Sequence, residues 1–266
     1  MSLRVCVAGV TGAVGKGITR AVLDAADLDL VGAVARGAAG QDVGEAVGRA
    51  KVGLAVRATL EEALAAPTDV LIDYTAPAAI KGHTIAALRR CIGVVIGTSG
   101  LTAAEFEEID REARAAGVGA ITGNFSLTAT LLQRFALEAA QHLKAWEIID
   151  YAGATKPDSP SATARDLADR LSEIGAPTAS RNPADTIGPP EARGATIGGA
   201  QVHSLRMPGF VFACEAIFGA PEERLVLRHE ATSMATVFIA GSLMAARRVR
   251  TVQGLIRGFD RLLFPQ

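Results

Sequence analysis

The sequence predicts an α/β chain: a doubly wound parallel sheet in its first half, then a second α+β domain with a mixed or antiparallel sheet. Two patterns carry this prediction. Apolar runs of strand length alternate with helical stretches through about residue 125, and beyond residue 200 three strand-like runs follow one another without helices between them. Composition agrees, since 49% of the 266 residues are hydrophobic but only 5% are aromatic, so the core is built from Ala, Val, Leu and Ile. A chain of this length holds one large domain or two modest ones.

Leu3-Arg4-Val5-Cys6-Val7-Ala8 opens the chain as a strand, apolar enough to be buried on both faces. Gly9, Gly12 and Gly15 follow at G-x-x-G-x-x-G spacing, and Lys16 to Ala26 reads as a helix. Strand, glycine turn and helix in that order suit a dinucleotide pyrophosphate. Glycine lets the backbone approach the phosphates, and the free N–H groups of the helix start face their charge. Gly9, Thr11, Gly12, Ala13, Val14 and Gly15 are therefore candidate cofactor-binding residues, and the first domain is predicted to be Rossmann-like. An ordinary tight strand-to-helix turn is the competing reading. Its placement in a βα unit at the very start favours the nucleotide.

Leu28 to Ala35 is the second strand, whose end reads the adenosine ribose in such folds. Ala35 is followed by Arg36, with no acidic residue among the next five positions. A carboxylate would bond a free 2′-hydroxyl and repel a 2′-phosphate, whereas arginine pairs with phosphate through its planar fork. The expected cofactor is NADPH, with NADH possible and weaker.

Gly37 to Gly53, rich in Gly and Ala, reads as an irregular loop. Leu60 to Ala66 is a short helix stopped by Pro67. Asp69 to Asp73 is a buried strand ended by Tyr74-Thr75-Ala76-Pro77, and Pro77 begins the helix Ala78 to Arg90. Gly93 to Ile96 is the next strand and runs into Gly97-Thr98-Ser99-Gly100. Thr102 with Glu105 three residues on predicts a capping box for a helix to Ala116. Val118 to Thr122 is the fifth strand, ending at Gly123-Asn124-Phe125-Ser126. Ligands bind at the carboxyl ends of such strands, so Thr75, Gly97, Thr98, Ser99, Asn124 and Phe125 join the candidate cofactor-binding residues.

In the second half, Thr130 to Leu143 is a helix and Trp146 to Tyr151 a strand. The polar loop Ala154 to Ser161 leads into a helix to Ile174. Thr178 to Gly194 is dense in Pro, Gly and polar residues and reads as an exposed loop. Gln201 to Arg206, Phe210 to Phe218 and Arg224 to Glu230 are the consecutive strands. Val237 to Arg250 is the last helix; Val237, Ile239, Leu243 and Val249 give it an apolar stripe to be covered by the first domain. Lys156 beside a helix start holding Ser161 and Thr163 makes a carboxylate site: a point charge, hydroxyls and orphan backbone donors. Read alone, the stretch is better taken as a helix capped by Ser159 with Pro160 first and a solvated Lys156; beside a nucleotide domain the carboxylate site becomes the better reading.

Five motifs in order now resemble the dihydrodipicolinate reductase family. They are the N-terminal glycine loop, Asp73-Tyr74-Thr75-Ala76-Pro77, Gly97-Thr98-Ser99-Gly100, Asn124-Phe125-Ser126, and Lys156-Pro157-Asp158-Ser159-Pro160-Ser161-Ala162-Thr163-Ala164. The last matches the family's K-x-D-x-P-S-G-T-A with one substitution. The resemblance implies hydride delivery from NAD(P)H to a C=N carbon of a carboxylate substrate. It also implies a dinucleotide-binding domain of residues 1–125 and 234–266, a substrate-binding and oligomerisation domain of 126–233, and a homotetramer built through the second sheet. Lys156 becomes the candidate catalytic residue, and Lys156, Ser161, Ala162 and Thr163 the candidate substrate-binding residues.

The family also carries two adjacent histidines three residues before the lysine, the first its proposed proton donor. Ala152 and Gly153 stand there, and Ala162 replaces the glycine that helps hold a substrate carboxylate. The expected reaction is therefore reduction of a C=N bond, ahead of C=O, in a small carboxylate other than the family's own substrate. The alternative is a catalytically inactive NADP-binding homologue acting as a sensor or assembly partner. Tyr151 and Asp158 are the nearby replacements for an acid. His203 and His229 read as satisfied core or surface residues, and His83 and His142 as exposed.

No His or Cys pair has ligand spacing, so no metal is expected. A net charge of −1 argues against nucleic acid or an anionic membrane as partner. Without an 18-residue apolar span or a signal pattern, and with three scattered cysteines, the expected compartment is the cytoplasm.

Overall fold

The computed structural model describes residues 2–178 and 181–264. The chain divides into two units, Met1–Ser126 with Ala235–Gln266, and Leu127–Met234.

The first unit runs β1 (Leu3–Ala8), α1 (Ala13–Asp24), β2 (Leu28–Val34), α2 (Val43–Ala46), α3 (Leu60–Ala63), β3 (Val70–Asp73), α4 (Pro77–Leu88), β4 (Gly93–Ile96), α5 (Ala103–Ala116) and β5 (Gly119–Thr122). Every residue of β3 and β4 is buried, as expected of strands covered on both faces. Alternate side chains go to opposite faces. Cys6, Ala8, Leu71, Val94, Ile96 and Ala120 pack with Ile80 and Leu88 of α4 and Ile109 of α5. Fully burying each large aliphatic side chain there is worth about 1.5–3 kcal/mol. The Thr102–Glu105 capping box forms as the sequence predicts.

Several boundaries differ from the sequence reading. Helix α1 starts at Ala13 rather than Lys16, because Gly12 serves as its N-cap. The stretch 37–53 is not irregular. It holds a 3-10 turn (Arg36–Ala38) and α2, and Asp42 gathers it by accepting from the N–H groups of Gly44, Val52 and Gly53. Helix α3 stops at Ala63, three residues short of the expected end.

The second unit runs α6 (Leu127–His142), β6 (Ala145–Ala152), α7 (Ala162–Ile174), β7 (Ala195–Ile197), β8 (Ala200–Arg206), β9 (Phe212–Ala220) and β10 (Glu223–Ala231). Its sheet is mixed, in the order β10-β9-β6-β8-β7. Strands β6 and β8 are parallel, joined by the crossover through α7, and the other pairs are antiparallel. Strand β6 alternates strictly, with Trp146, Ile148, Asp150 and Ala152 buried and the residues between them half-exposed. Of these, Trp146 and Ile148 pack with Leu132 of α6, Leu167 and Leu171 of α7, Val202 and Phe218. Sequence reading missed β7, a three-residue strand whose first two residues are exposed, and so too weak a pattern to see.

The chain then returns to the first unit through α8 (Ile239–Arg248), β11 (Gly254–Arg257) and α9 (Phe259–Leu263). Helix α8 lies against α1, β3 and β4, burying Leu243, Ala245 and Ala246. What reads as a tail supplies a sixth parallel strand. β11 pairs with β5, completing the order β11-β5-β4-β3-β1-β2. No helix among the described residues is long and apolar enough to cross a membrane.

Candidate active site

The parallel topology brings the turns after β1, β3, β4 and β5 to one edge of the first sheet. Gly9 has φ +87°, and a Cβ there would sit 2.6 Å from the Tyr74 carbonyl oxygen. A Cβ on Gly15 would sit 2.0 Å from the Gly9 carbonyl. Packing alone thus demands glycine at both positions. Gly12 is different: its φ is −68°, and a Cβ would meet only the Gly9 carbonyl, at 3.2 Å. Gly12 is thus the least constrained of the three, although a side chain there would still press on that carbonyl. It caps α1 without a side chain, so the N–H groups of Ala13 and Val14 have no side-chain acceptor, and the first turn holds no acid. Such a helix start fits a pyrophosphate. Thr11 and Ala13 beside it are exposed. Arg36 opens the 3-10 turn just past β2, exposed and without an ion pair among the described residues.

The next two turns are tied together. The Thr75 N–H and hydroxyl donate to Asp73 Oδ1 at 2.7 and 2.6 Å, and the Thr98 hydroxyl donates to the Thr75 carbonyl at 2.7 Å. Ser99 is exposed. The Tyr74 ring lies on the Gly97 main chain, where a Cβ would fall 2.1 Å from Cζ. Its hydroxyl meets Ser242 Oγ at 2.8 Å, and burial pushes the phenol's pKa well up. In the last turn Asn124 Oδ1 accepts from the Ser126 N–H at 3.0 Å. The Phe125 ring is buried edge-on to Phe259, with centroids 5.4 Å apart, so only its main chain is available to a ligand.

The substrate candidates lie in the second unit. Ser161 is the N-cap of α7, which replaces the reading of Ser159 as cap and Pro160 as first helical residue. Its hydroxyl donates to Asp150 Oδ1 at 2.7 Å and accepts from the Ala164 N–H, and its own N–H donates to Asp150 Oδ2 at 2.8 Å. The Ser161 hydroxyl is therefore committed inside the protein. Ala162 is exposed and Thr163 half-buried on the first turn. Lys156 pairs with Asp158, and that cation holds the Asp158 carboxyl below its ordinary pKa.

Arg206 completes this cluster. Its Nη2 donates to Asp150 Oδ2 at 2.7 Å and to the Asp158 carbonyl at 2.6 Å. Asp150, 1% exposed, thus clamps the loop that carries Lys156. Sequence reading missed this clamp, although a carboxylate on the inward side of an alternating strand demands partners.

The positions where the resemblance calls for histidines are filled by the fold. Ala152 is fully buried, and a Cβ on Gly153 would sit 3.2 Å from the Phe210 carbonyl. Neither candidate acid suits proton donation at neutral pH. Asp158 is held as a carboxylate, and burial together with Glu215 raises the Tyr151 phenol. His203 pairs with Glu147 at 2.8 Å. His229 is buried against Thr128, which pushes its pKa down. His142 is exposed. His83 is not: it is half-buried, with Nδ1 2.8 Å from Asp73 Oδ2. A strand-ending aspartate followed by a histidine in the second turn of the next helix was the available signal.

Two family models match the chain: "Dihydrodipicolinate reductase, N-terminus" over residues 3–125 and "Dihydrodipicolinate reductase, C-terminus" over residues 128–263. The 4-hydroxy-tetrahydrodipicolinate reductase of Desulfitobacterium hafniense is 34% identical over 264 residues, and that of Moorella thermoacetica 36% over 265; each alignment covers 98% of both chains. The dipicolinate-bound dihydrodipicolinate reductase of Paenisporosarcina sp. TG-14 superposes with a TM-score of 0.88 at 27% identity, covering 98% of this chain and 100% of that one. A probable dehydrogenase from Thermotoga maritima, with a TM-score of 0.63 at 12% identity over 97% of this chain and 92% of its own, shares the fold.

Proposed function

The chain belongs to the dihydrodipicolinate reductase family and, like it, is an oxidoreductase that reduces a C=N bond with NADH or NADPH; we propose that it uses NADPH and takes a small carboxylate imine through an altered substrate site. When bound, the reduced nicotinamide supplies the hydride. In this reading Gly9, Thr11, Gly12, Ala13, Val14 and Gly15 hold the pyrophosphate. Arg36 pairs the 2′-phosphate, and the turns at Thr75, Gly97–Ser99 and Asn124–Phe125 hold the nicotinamide end.

The substrate site rests on one contrast. Lys156 and the α7 start remain as a carboxylate anchor, whereas buried Ala152 and crowded Gly153 offer no side chain to protonate nitrogen or hold a second acid. Lys156 neutralises the carboxylate, Ala162 and Thr163 present main-chain donors, and Ser161 acts through its cap rather than by direct contact. Protonation of the imine by solvent needs no enzymic acid. No finding favours the inactive alternative.

A homotetramer belongs to the same reading. Ile149, Ile217 and Val226 lie on the face of the second sheet turned away from its buried core, and Val226 is 45% exposed. A cytoplasmic setting goes with it, since Cys6 and Cys214 are buried free thiols.

The test is an NADPH oxidation screen of cyclic and acyclic imines with and without a carboxylate. Carboxylate imines are expected to be the better substrates, dihydrodipicolinate to be turned over weakly, and Lys156→Ala to lower kcat/KM by about 10- to 1000-fold. Robust turnover of dihydrodipicolinate that survives Lys156→Ala would overturn the reading.

A further inference from the structure

Asp73 ends β3 with its side chain fully buried, and its two oxygens face different elements. Oδ1 closes an Asx-type turn on Thr75, which needs no help from elsewhere. Oδ2 would be left buried and unpaired but for His83 Nδ1, which reaches it from the second turn of α4. A carboxylate oxygen only accepts, so the histidine is the donor. Past Thr75, the Thr98 hydroxyl on the Thr75 carbonyl carries the chain of bonds into the turn after β4. One continuous path, His83–Asp73–Thr75–Thr98, therefore crosses two neighbouring turns at the carboxyl ends of the paired strands β3 and β4.

Other charges around the histidine support the donation. The bond to Asp73, its charge and that of Glu61 on α3 outweigh desolvation and raise the His83 pKa. Neither Arg36 nor the start of α1 takes part in the path.

We propose that His83 is a positioning residue for hydride transfer, setting through Asp73 the Thr75 and Thr98 turns that orient the nicotinamide. The inference rests on the cofactor reading of those two turns. It predicts a separation of effects: affinity from the phosphates stays, and the share contributed by the nicotinamide goes. The ratio of dissociation constants for 2′-phospho-ADP-ribose and NADPH measures that share, and needs no imine substrate.

The experiment measures both constants by calorimetry, the lifetime of bound NADPH fluorescence and the thermal midpoint. It compares the wild type with His83→Ala, His83→Asn, His83→Gln and Thr98→Val. His83→Ala is expected to lower the ratio about tenfold, the scale of one lost hydrogen bond, and to shorten the lifetime, with 2′-phospho-ADP-ribose binding unchanged. Asparagine places its amide nitrogen where Nδ1 stands and is expected to restore both readouts. Glutamine places it where Nε2 stands and is not. If His83→Ala does not fold, the difference between Asn and Gln decides.

Equal ratios in wild type, Ala, Asn and Gln, with Thr98→Val lowering the ratio, would overturn the proposal alone. An unchanged ratio in Thr98→Val as well would overturn the cofactor reading beneath it. Parallel loss of both ligands together with the thermal midpoint in every His83 variant would mean a purely structural role and would also overturn it.

Discussion

Ala35 offers no carboxylate and Arg36 just past β2 has no ion pair among the described residues, so on the proposed reading the adenosine ribose is met by a cation. NADPH is then expected to bind more tightly than NADH by about 1.5–3 kcal/mol, the worth of hydrogen bonds to a charged group. Titrating both cofactors with the wild type and Arg36→Ala checks this, and equal affinities in the wild type would remove the assignment. The glycines beside it divide by cause. Gly9 and Gly15 are demanded by their own neighbours, whereas at Gly12 a side chain would only press on the Gly9 carbonyl. Spacing alone does not separate these roles, because all three look alike until the backbone distances are known.

Local rules set many of the elements. The capping box at Thr102, Pro77 at the first turn of α4 and the apolar runs of β1, β3 and β4 act over a few residues, and each was legible. The Asp150 clamp was not. It joins β6, the start of α7 and β8, eleven residues apart at one joint and 56 at the other. Asp150→Ala would leave the Ser161 N–H and hydroxyl and the Arg206 guanidinium without their buried acceptor. A loss of about 3–5 kcal/mol in unfolding free energy is expected, the range for breaking a buried pair. Chemical denaturation measures it, and a loss under 1 kcal/mol would show that the clamp is slack.

At the scale of the whole molecule, the first unit is discontinuous, closed by α8 and by β11 at the edge of its sheet. The second unit exposes Val226 over Ile217 on the open face of a five-stranded sheet. A covered face of that kind is part of the proposed assembly, and sedimentation at micromolar concentration is expected to give a tetramer. A monomer there would count against it.

By itself the sequence determined the α/β class, the glycine turn and the order of the strands through Thr122. Each of these follows from hydrophobic period, turn chemistry or caps that act between near neighbours. Only the tertiary structure decided that the C-terminal tail is a sixth strand and that Ser161 is spent on Asp150. It likewise decided that Ala152 is sealed off and that His83 faces Asp73 rather than water. Those outcomes depend on which distant groups share a buried volume. There an unpaired carboxylate or donor is costly enough to override what a side chain would do alone.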